Sequence, residues 1–183
     1  MNLAPVPPSV HAAPPTLLRR PLDAMLAGIA EAVRGAPERR HAAVAEAIAA
    51  HVADPRLLEG RDCPCCPTNY VRHLLHGDAA ASYAVIALVW RPGQMSPVHA
   101  HKTWCALAVH RGTLTETFYA AAEDDPVPTG TRLCPPGTLS CTPPDPNSIH
   151  RLANLSCREA VSIHCYGAAF DRLGDQVNLV YSA

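Results

Sequence analysis

Two histidines separated by a single residue are the first feature of this sequence that could do chemistry. His99 and His101 flank Ala100, and residues two apart on an extended strand leave the same face. Their imidazoles can therefore converge on one metal ion. A His-x-His pair also arises by chance in a chain of this length, so the prediction of a metal site depends on the residues around the pair.

Ser162, His164 and Tyr166 form a second polar pattern. They alternate with three apolar residues, so a strand here places the three polar groups on one face. Periodicity leaves two interpretations open. The polar face could turn into a barrel that holds a site, or the strand could be half buried with its polar side in solvent.

The residues around the histidine pair resemble the first motif of the cupin superfamily. In that motif a glycine precedes His-x-His, and a glutamate and a second glycine follow at fixed spacing. Gly93, Cys105 and Gly112 stand at the matching positions, with cysteine in place of the glutamate. The resemblance predicts that His99 and His101 face the inside of a β-barrel.

The second cupin motif supplies a third histidine followed by an asparagine, and His150 with Asn154 resembles it. The resemblance implies a metal ion held by His99, His101 and His150. Three neutral imidazoles leave the full charge of a divalent ion in place, which favours an anionic ligand such as a thiolate. Three protein ligands also leave positions open for substrate, as a catalytic metal requires.

Ser162, His164 and Tyr166 follow the third histidine and are similar to the hydrogen-bonded Ser-His-Tyr triad of the cysteine dioxygenase family, which also lacks the cupin glutamate. Further similarities are Tyr70-Val71-Arg72-His73-Leu74-Leu75, Trp90-Arg91-Pro92-Gly93-Gln94, Trp104 and His164-Cys165-Tyr166-Gly167. The resemblance covers residues 67 to 170. It implies an Fe(II) enzyme that uses O2 to convert a small thiol carboxylate to its sulfinic acid, with Tyr166 as a hydrogen-bond donor oriented by His164 and Ser162.

Arg72 is implied by the same resemblance to bind the carboxylate of the substrate, with Tyr70 beside it. A guanidinium group matches a carboxylate with two parallel hydrogen bonds and stays charged at any working pH. Relatives that prefer 3-mercaptopropionate look to have a glutamine in the matching Tyr-x-x-His-Leu-Leu segment. Arg72 therefore favours L-cysteine as the substrate. 3-Mercaptopropionate and mercaptosuccinate remain alternative substrates, and an ordinary surface ion pair is the other interpretation of Arg72.

Cys105 stands where animal cysteine dioxygenases have the cysteine that forms a thioether with the triad tyrosine. The resemblance raises a Cys105–Tyr166 crosslink as a hypothesis. The segment between His101 and Cys105 is one residue shorter than in those animal enzymes.

The chain contains eight cysteines, and we expect them to be reduced because disulfide scaffolds belong mainly to short secreted chains. Cys63, Cys65 and Cys66 lie close together around Pro64. No second cysteine pair at zinc-ribbon spacing accompanies them, which favours a structural turn over a zinc site or a redox switch.

The elements that must position these residues are two helices followed by short strands. Apolar residues recur at helical spacing from Pro21 to Gly35 and from Ala43 to Val52. Strand-like segments follow at 70–75, 82–90, 105–110, 113–119 and 160–166, with separators that include 123–130 and the proline-rich 142–147. With the cupin resemblance, this order predicts a mainly β protein. We expect a cupin-type β-barrel, a double-stranded β-helix or jelly roll, preceded by two N-terminal helices within residues 18–58.

Charge and hydropathy restrict the partners. The formal net charge is -1, which gives no basic field for nucleic acid or anionic lipid, and no apolar run is long enough to span a membrane. Residues 1–17 contain five prolines and predict a flexible tail before a single domain over 18–183. We expect a cytoplasmic enzyme with a small thiol and O2 as its partners, without nucleic acid or membrane; the sequence does not determine its oligomeric state.

Two other classes of function stay open at the level of sequence. A cupin that binds a small ligand without turnover could keep the barrel and the histidines, but it would have little need for the triad beside an arginine. A zinc hydrolase or isomerase is also compatible with three histidine ligands, because imidazole is a common ligand of zinc.

Overall fold

The helices come first in the fold. The computed structural model describes residues 20–80, 82–174 and 176–181, and the tail predicted over residues 1–17 lies outside them. Helix α1 (Pro21–Val33) and helix α2 (Arg40–Val52) are joined through a 3-10 turn at Pro37–Arg39. No helix within the described residues is long and apolar enough to cross a membrane.

Ten strands follow within the described residues, and they form two antiparallel sheets. The strands are β1 (Val71–Gly77), β2 (Ala84–Trp90), β3 (Val98–His101), β4 (Cys105–Arg111), β5 (Leu114–Ala120), β6 (Val127–Cys134), β7 (Leu139–Thr142), β8 (Asp145–Ala153), β9 (Ala160–Tyr166) and β10 (Asn178–Tyr181). Sheet A has the order β1-β2-β9-β4-β7, and sheet B has the order β10-β3-β8-β5-β6. The prediction of a mainly β, double-stranded β-helix preceded by two helices is confirmed.

The predicted separators are wrong in two places, because β6 begins at Val127 and β8 begins at Asp145. Both strands contain proline, which sequence patterns assign to loops. β6 is the edge strand of sheet B, and the ladder is irregular where Tyr119 meets Pro128. Pro146 lies in the second position of β8. Edges, irregularities and strand starts are the places where a sheet tolerates proline, since little ladder hydrogen bonding is lost there.

The two helices cover the outer face of sheet A. Met25, Ile29 and Ile48 are fully buried and belong to one cluster with Val161 and Ile163 of β9. Burial of each large apolar side chain contributes roughly 1.5–3 kcal/mol before entropy is considered. Because the helices take up this face, the central strands of sheet A are buried on both sides.

His110 attaches α2 to the barrel. Its Nδ1 donates a hydrogen bond to the carbonyl oxygen of Val52 at a distance of 2.7 Å. Val52 is the last residue of α2, and the last carbonyls of a helix have no partner within it. The bond therefore satisfies a helix end and holds α2 against β4.

The turn between β4 and β5 explains the second glycine of the cupin-like motif. Gly112 has a φ of 70°, in the left-handed region where a side chain is strained. A Cβ atom at this position would lie 2.6 Å from the carbonyl oxygen of Glu159. Gly93 also has a positive φ, of 84°. Both motif glycines thus serve the backbone of the turns on either side of the histidine pair.

Candidate metal centre

His99, His101 and His150 meet between the two sheets. β3 carries the first two and β8 carries the third, and His99 lies directly opposite His150 in the ladder of these strands. Their exposed fractions are 5%, 2% and 8%. One ligand nitrogen from each lies within 4.8 Å of the others, so this buried cluster could hold a metal ion.

Hydrogen bonds behind the cluster determine which nitrogen of each ring faces inward. His99 Nδ1 lies 3.0 Å from the carbonyl oxygen of Pro97, and His101 Nδ1 lies 3.2 Å from Oδ1 of Asn178. Carbonyl oxygens can only accept, so each Nδ1 carries the proton and each Nε2 presents a lone pair. Asn178 is the ladder neighbour of His101 across β10 and β3, which explains this contact.

The third histidine is backed by a charged group. His150 Nδ1 donates to Oε1 of Glu116 at 2.8 Å. Glu116 also accepts bonds from Arg132 Nε at 2.9 Å, Arg132 Nη2 at 2.6 Å and Ser140 Oγ at 3.1 Å. Burial acts to raise the pKa of Glu116, but the hydrogen bonds from His150 and Arg132, together with the charge of Arg132, outweigh it and lower the pKa. The carboxylate is therefore ionised behind the ligand.

The inward-facing nitrogens are arranged as metal ligands. Nε2 of His101 and Nε2 of His150 are 3.1 Å apart. His101 is neutral with its proton on Nδ1, so its Nε2 presents a lone pair toward His150. Two nitrogens that each lie about 2.1 Å from one ion, at a right angle, are separated by about 3 Å. The spacing and the imidazole donors fit a divalent first-row metal.

The rings are in the protonation state that a metal requires. Burial lowers the pKa of His99 to about 4, with His150 as the next cause, and lowers the pKa of His101 to about 2, with His99 as the next cause. Both imidazoles are neutral near neutral pH. Metal ligands must be deprotonated, so neither ring has to lose a proton before it can bind.

The polar residues of β9 face the same cavity. Ser162, His164 and Tyr166 are 0%, 1% and 9% exposed, so the alternative of a solvent-facing polar side is wrong. Ser162 Oγ lies 2.8 Å from His164 Nε2, and His164 Nδ1 lies 3.1 Å from the Tyr166 hydroxyl. Trp90 Nε1 donates to Ser162 Oγ at 2.9 Å. The three residues form a connected chain that is anchored at the indole of Trp90.

One proton position in this chain is fixed by its donor. Trp90 can only donate, so the Ser162 oxygen accepts from it. Burial lowers the pKa of His164 to about 3, so the ring is neutral and has a single N–H between Ser162 and Tyr166. Burial also raises the pKa of the Tyr166 phenol, so the hydroxyl keeps its proton.

Tyr70 and Arg72 lie at the wall of the cavity formed by β1 and β2. The ring of Tyr70 stacks on Trp90 with centroids 4.4 Å apart, and Arg72 Nη2 donates to the Tyr70 hydroxyl at 3.2 Å. Arg72 lines the same cavity as the histidine cluster and is the one arginine or lysine among the described residues that line it. Among all the described residues, Arg72 forms no salt bridge with a carboxylate. The alternative of an ordinary surface ion pair is therefore not observed.

Cys105 lies directly opposite Tyr166 in the ladder of β4 and β9. Both side chains belong to the same buried cluster. Burial raises the pKa of the Cys105 thiol. Cys63 and Cys66, by contrast, lie in the segment between α2 and β1, and neither lines the cavity.

Two residues of the site were missed at the level of sequence. Glu116 had one signal, because it lies two residues after Leu114 on β5 and so shares its buried face. Asn178 had no signal in the sequence, because it follows the last predicted strand by more than ten residues. It contacts His101 only through the pairing of β10 with β3. Asn154, which helped to identify His150, lies outside the metal centre and bonds to the carbonyl oxygen of Trp90 at 2.9 Å.

The fold and the site define a β-barrel protein of the cupin type with a buried three-histidine centre that could hold a metal. Residues 64–175 match the model of the family described as cysteine dioxygenase type I. The chain belongs to the cysteine dioxygenase type I family. Its family is therefore one of thiol dioxygenases, which are oxidoreductases that use O2.

Solved structures with a similar barrel include a protein from Thermus thermophilus, with 15% identity, coverage of 58% of this chain and 90% of that chain, and a TM-score of 0.47. A Klebsiella pneumoniae protein with a double-stranded β-helix domain has 13% identity, coverage of 66% and 90%, and a TM-score of 0.47. The cupin domain of an Enterobacter cloacae transcriptional regulator of the XRE family has 16% identity, coverage of 53% and 94%, and a TM-score of 0.41.

Proposed function

We propose that this protein is an Fe(II)-dependent thiol dioxygenase that converts a small thiol carboxylate, L-cysteine in first place, to its sulfinic acid. The reaction consumes one thiol and one O2, and both oxygen atoms end on sulfur. The observation that carries the proposal is that three histidines with inward Nε2 atoms share one cavity with Arg72 and the Tyr166 hydroxyl.

The ligand set supports a thiolate as the substrate donor. Fe(II) held by His99, His101 and His150 would supply open positions for thiolate and O2 and the electrons that activate the oxygen. All three ligands are neutral, so a divalent ion keeps its charge among them, and an anionic sulfur is attracted to it. The leucines that line the cavity, Leu88, Leu107 and Leu152, exclude water, and this strengthens the attraction.

Arg72 supports a substrate with one carboxylate. Arg72 is the single arginine or lysine among the described residues that line the cavity. Its hydrogen bond to Tyr70 restricts its movement. A bidentate hydrogen bond to the carboxylate would hold the sulfur at a fixed distance from the histidine cluster. L-Cysteine and 3-mercaptopropionate each need one such partner, whereas mercaptosuccinate needs a second cation. We therefore place mercaptosuccinate last among the three substrates.

Tyr166 would act as the hydrogen-bond donor to the reacting oxygen. Tyr166 lines the cavity that the three histidines share, and its hydroxyl is held by a hydrogen bond with His164. Ser162 and Trp90 fix the ring of His164 in turn. Preorganised donors of this kind stabilise developing negative charge without having to reorganise during the reaction.

A thioether between Cys105 and Tyr166 is a further proposal at this site. The two residues are ladder neighbours, so formation of a C–S bond would need no movement of the strands. The bond would replace one hydrogen on sulfur and one on the ring, and O2 would accept both electrons and both protons to give hydrogen peroxide. Intact-mass analysis of protein incubated with Fe(II) and cysteine should show a fraction that lacks two hydrogen atoms; a single unmodified mass would reject the crosslink.

Oxygen uptake tests the function directly. Protein loaded with Fe(II) should consume one O2 per thiol, and L-cysteine, 3-mercaptopropionate and mercaptosuccinate should be compared in the same assay. We expect a sulfinic acid product and the highest kcat/KM with L-cysteine. The same protein loaded with Zn(II) is the control, and it should show no uptake. Absence of uptake with every thiol carboxylate would reject the proposal.

Arg72→Gln separates carboxylate binding from chemistry. Loss of the guanidinium should raise KM for L-cysteine roughly 10- to 100-fold, the cost of one charge-assisted bidentate contact, and should change kcat much less. Arg39→Gln, at the surface between the two helices, is the matched control. Equal kinetics in the two variants would mean that the carboxylate binds elsewhere.

A further inference from the structure

We propose that Glu116, clamped by Arg132, is the positioning residue of the metal centre, and that it makes His150 the strongest of the three ligands. The inference rests on the proposed function, since it assumes that the histidine cluster holds a metal ion. Glu116 does not touch the ion or the substrate in this view. It acts through the ring of His150.

The geometry around Glu116 leaves its carboxylate no freedom. Oε1 accepts from His150 at 2.8 Å and from Ser140 at 3.1 Å, and Oε2 accepts from two nitrogens of Arg132 at 2.9 and 2.6 Å. The residue is 1% exposed. Arg132 is its direct ladder neighbour across β5 and β6. His150 is thus held by a carboxylate that is itself fixed at both oxygens.

The three ligands differ in what lies behind them. His99 is backed by the backbone carbonyl of Pro97, and His101 is backed by the amide of Asn178, so both have neutral partners. Of the three, His150 alone has an anion behind it. A carboxylate that accepts the Nδ1 proton raises the electron density at Nε2 and orients the ring, which strengthens the bond to the metal.

A structural role by itself explains this carboxylate poorly. A buried ion pair usually contributes no more stability than apolar residues of the same volume, because both charges lose water. The side chain of Arg132 is 42% exposed, so water could satisfy it without a carboxylate. The buried Nδ1 of His150 needs an acceptor, but the neutral oxygens behind His99 and His101 show that an acceptor does not have to be charged. The presence of an anion at this one ring therefore points to a role at the metal centre.

The test uses metal affinity and a ligand-field spectrum, neither of which depends on turnover. Glu116→Gln keeps the shape and removes the charge, and Glu116→Gln/Arg132→Met removes the cation as well, so that no unpaired guanidinium remains. The control is Glu159→Gln, which makes the same change in a surface pair where Arg111 Nη2 lies 2.7 Å from Glu159 Oε1. Co(II) is the probe, added anaerobically to the full chain in competition with a chelator.

We expect both Glu116 variants to bind Co(II) 10- to 100-fold more weakly than the unmodified protein, with shifted d–d bands, and the control to match the unmodified protein. Asn178→Ala, which removes a neutral partner from His101, should cost less affinity than Glu116→Gln. If the single variant does not fold, the double variant provides the measurement. If neither folds, Arg132→Gln, which frees the carboxylate from its clamp, should show the same loss and band shift.

Two failures can be told apart. In the first, the unmodified protein binds Co(II) and consumes O2 with thiols, but the Glu116 variants, or Arg132→Gln in their place, bind Co(II) with an affinity within about twofold of it and show the same spectrum. The positioning role is then wrong and the proposed function stands. Loss of affinity without any change in the spectrum would also overturn it, since a repositioned His150 must alter the ligand field. If the unmodified protein binds no Co(II) or Fe(II), the proposed function fails first.

Discussion

Each histidine of the cluster is oriented by a partner on its far nitrogen. Pro97 and Asn178 fix the first two rings with neutral oxygens, and Glu116 fixes the third with a charged one. The sequence predicts three neutral ligands where cupins have a glutamate, and the structure brings those three imidazoles together in a cluster that could hold a metal. A glutamate nevertheless lies beside the cluster, one hydrogen bond behind His150.

Ser162 connects the indole of Trp90 to the ring of His164, and its replacement should therefore affect both stability and reaction. In Ser162→Ala the Trp90 N–H and a nitrogen of His164 lose their partner in a buried place, which should lower the free energy of unfolding by about 1–3 kcal/mol. The freed ring would also aim Tyr166 less well, so kcat should fall roughly tenfold. Urea unfolding and oxygen uptake measure the two effects.

Ser82→Ala is the control for this change, because Ser82 is exposed and bonds to Asp78 at the surface. It should be close to the unmodified protein in both measurements. Unchanged kcat in Ser162→Ala, together with the expected loss of stability, would show that the chain of hydrogen bonds is structural and that Tyr166 needs no support.

Tyr70 keeps Arg72 in place, and removal of its hydroxyl tests this role. Tyr70→Phe retains the stacking on Trp90 but loses the bond from Arg72 Nη2. A hydrogen bond to a charged group is worth about 1.5–3 kcal/mol. Because Tyr70 acts on the substrate only through Arg72, only part of this energy should appear in substrate binding, so KM for L-cysteine should rise roughly 3- to 30-fold while kcat changes little. Tyr119→Phe, in the cluster on the outer face of sheet B, should leave KM unchanged; an equal KM in both variants would exclude the role of Tyr70.

At the scale of elements, strand register brings the site together. β3 and β8 pair so that His99 faces His150, and β9 alternates between the helix-covered face and the cavity. Val161 and Ile163 pack under the helices, while Ser162 and His164 face the histidine cluster. A shift of one residue in β9 would exchange the two sets. The buried faces on both sides therefore fix the register that the chemistry needs.

The turn between β4 and β5 is the element most sensitive to a small change. Gly112→Ala should lower the free energy of unfolding by roughly 1–2 kcal/mol for the left-handed backbone, plus a further clash with the carbonyl oxygen of Glu159. Gly137→Ala is the control, because Gly137 has a φ of 87° but open space around its Cβ position. Chemical denaturation should show the larger loss at Gly112. Equal losses would mean that the clash is relieved by a local shift.

At the scale of the whole molecule, the barrel and its helices surround a small polar centre. The helices pack on sheet A, and the three histidines lie on the opposite sheet. The largest hydrophobic cluster of the described residues therefore lies on the far side of sheet A, away from the histidines. The fold does not depend on the ligands for its core, so we expect the protein to fold without metal and to gain stability when metal binds.

Metal binding should raise the thermal midpoint. A ligand present at about 100 times its Kd stabilises the native state by about 2.7 kcal/mol, which corresponds to roughly 5–10 °C for a protein of this size. Anaerobic calorimetry with and without Fe(II) measures the shift. His150→Ala should abolish the shift, whereas His73→Ala, where the ring bonds to the carbonyl oxygen of Pro64 at an exposed position, should retain it. A shift retained in His150→Ala would refute the ligand assignment.

The sequence by itself determined the features that depend on local spacing. His99 and His101 two residues apart, the alternation around His164 and the helical spacing before residue 55 all reflect fixed backbone periods, and the structure shows each of them. It also predicted β1, β2, β4, β5 and β9, but not β6, β7, β8 and β10. At β6 and β8 the reason is that proline patterns do not reveal whether a strand lies at an edge or begins at that residue.

Only the tertiary structure decided which distant residues support the centre. Glu116 and His150 are 34 positions apart, and His101 and Asn178 are 77 apart; their contacts come from the pairing of strands. The burial that makes Ser162, His164 and Tyr166 an internal chain, and not a wet surface, likewise depends on sheet B, which closes the cavity opposite β9. Backbone periodicity sets which face a side chain takes, but what covers that face is a property of the assembled fold.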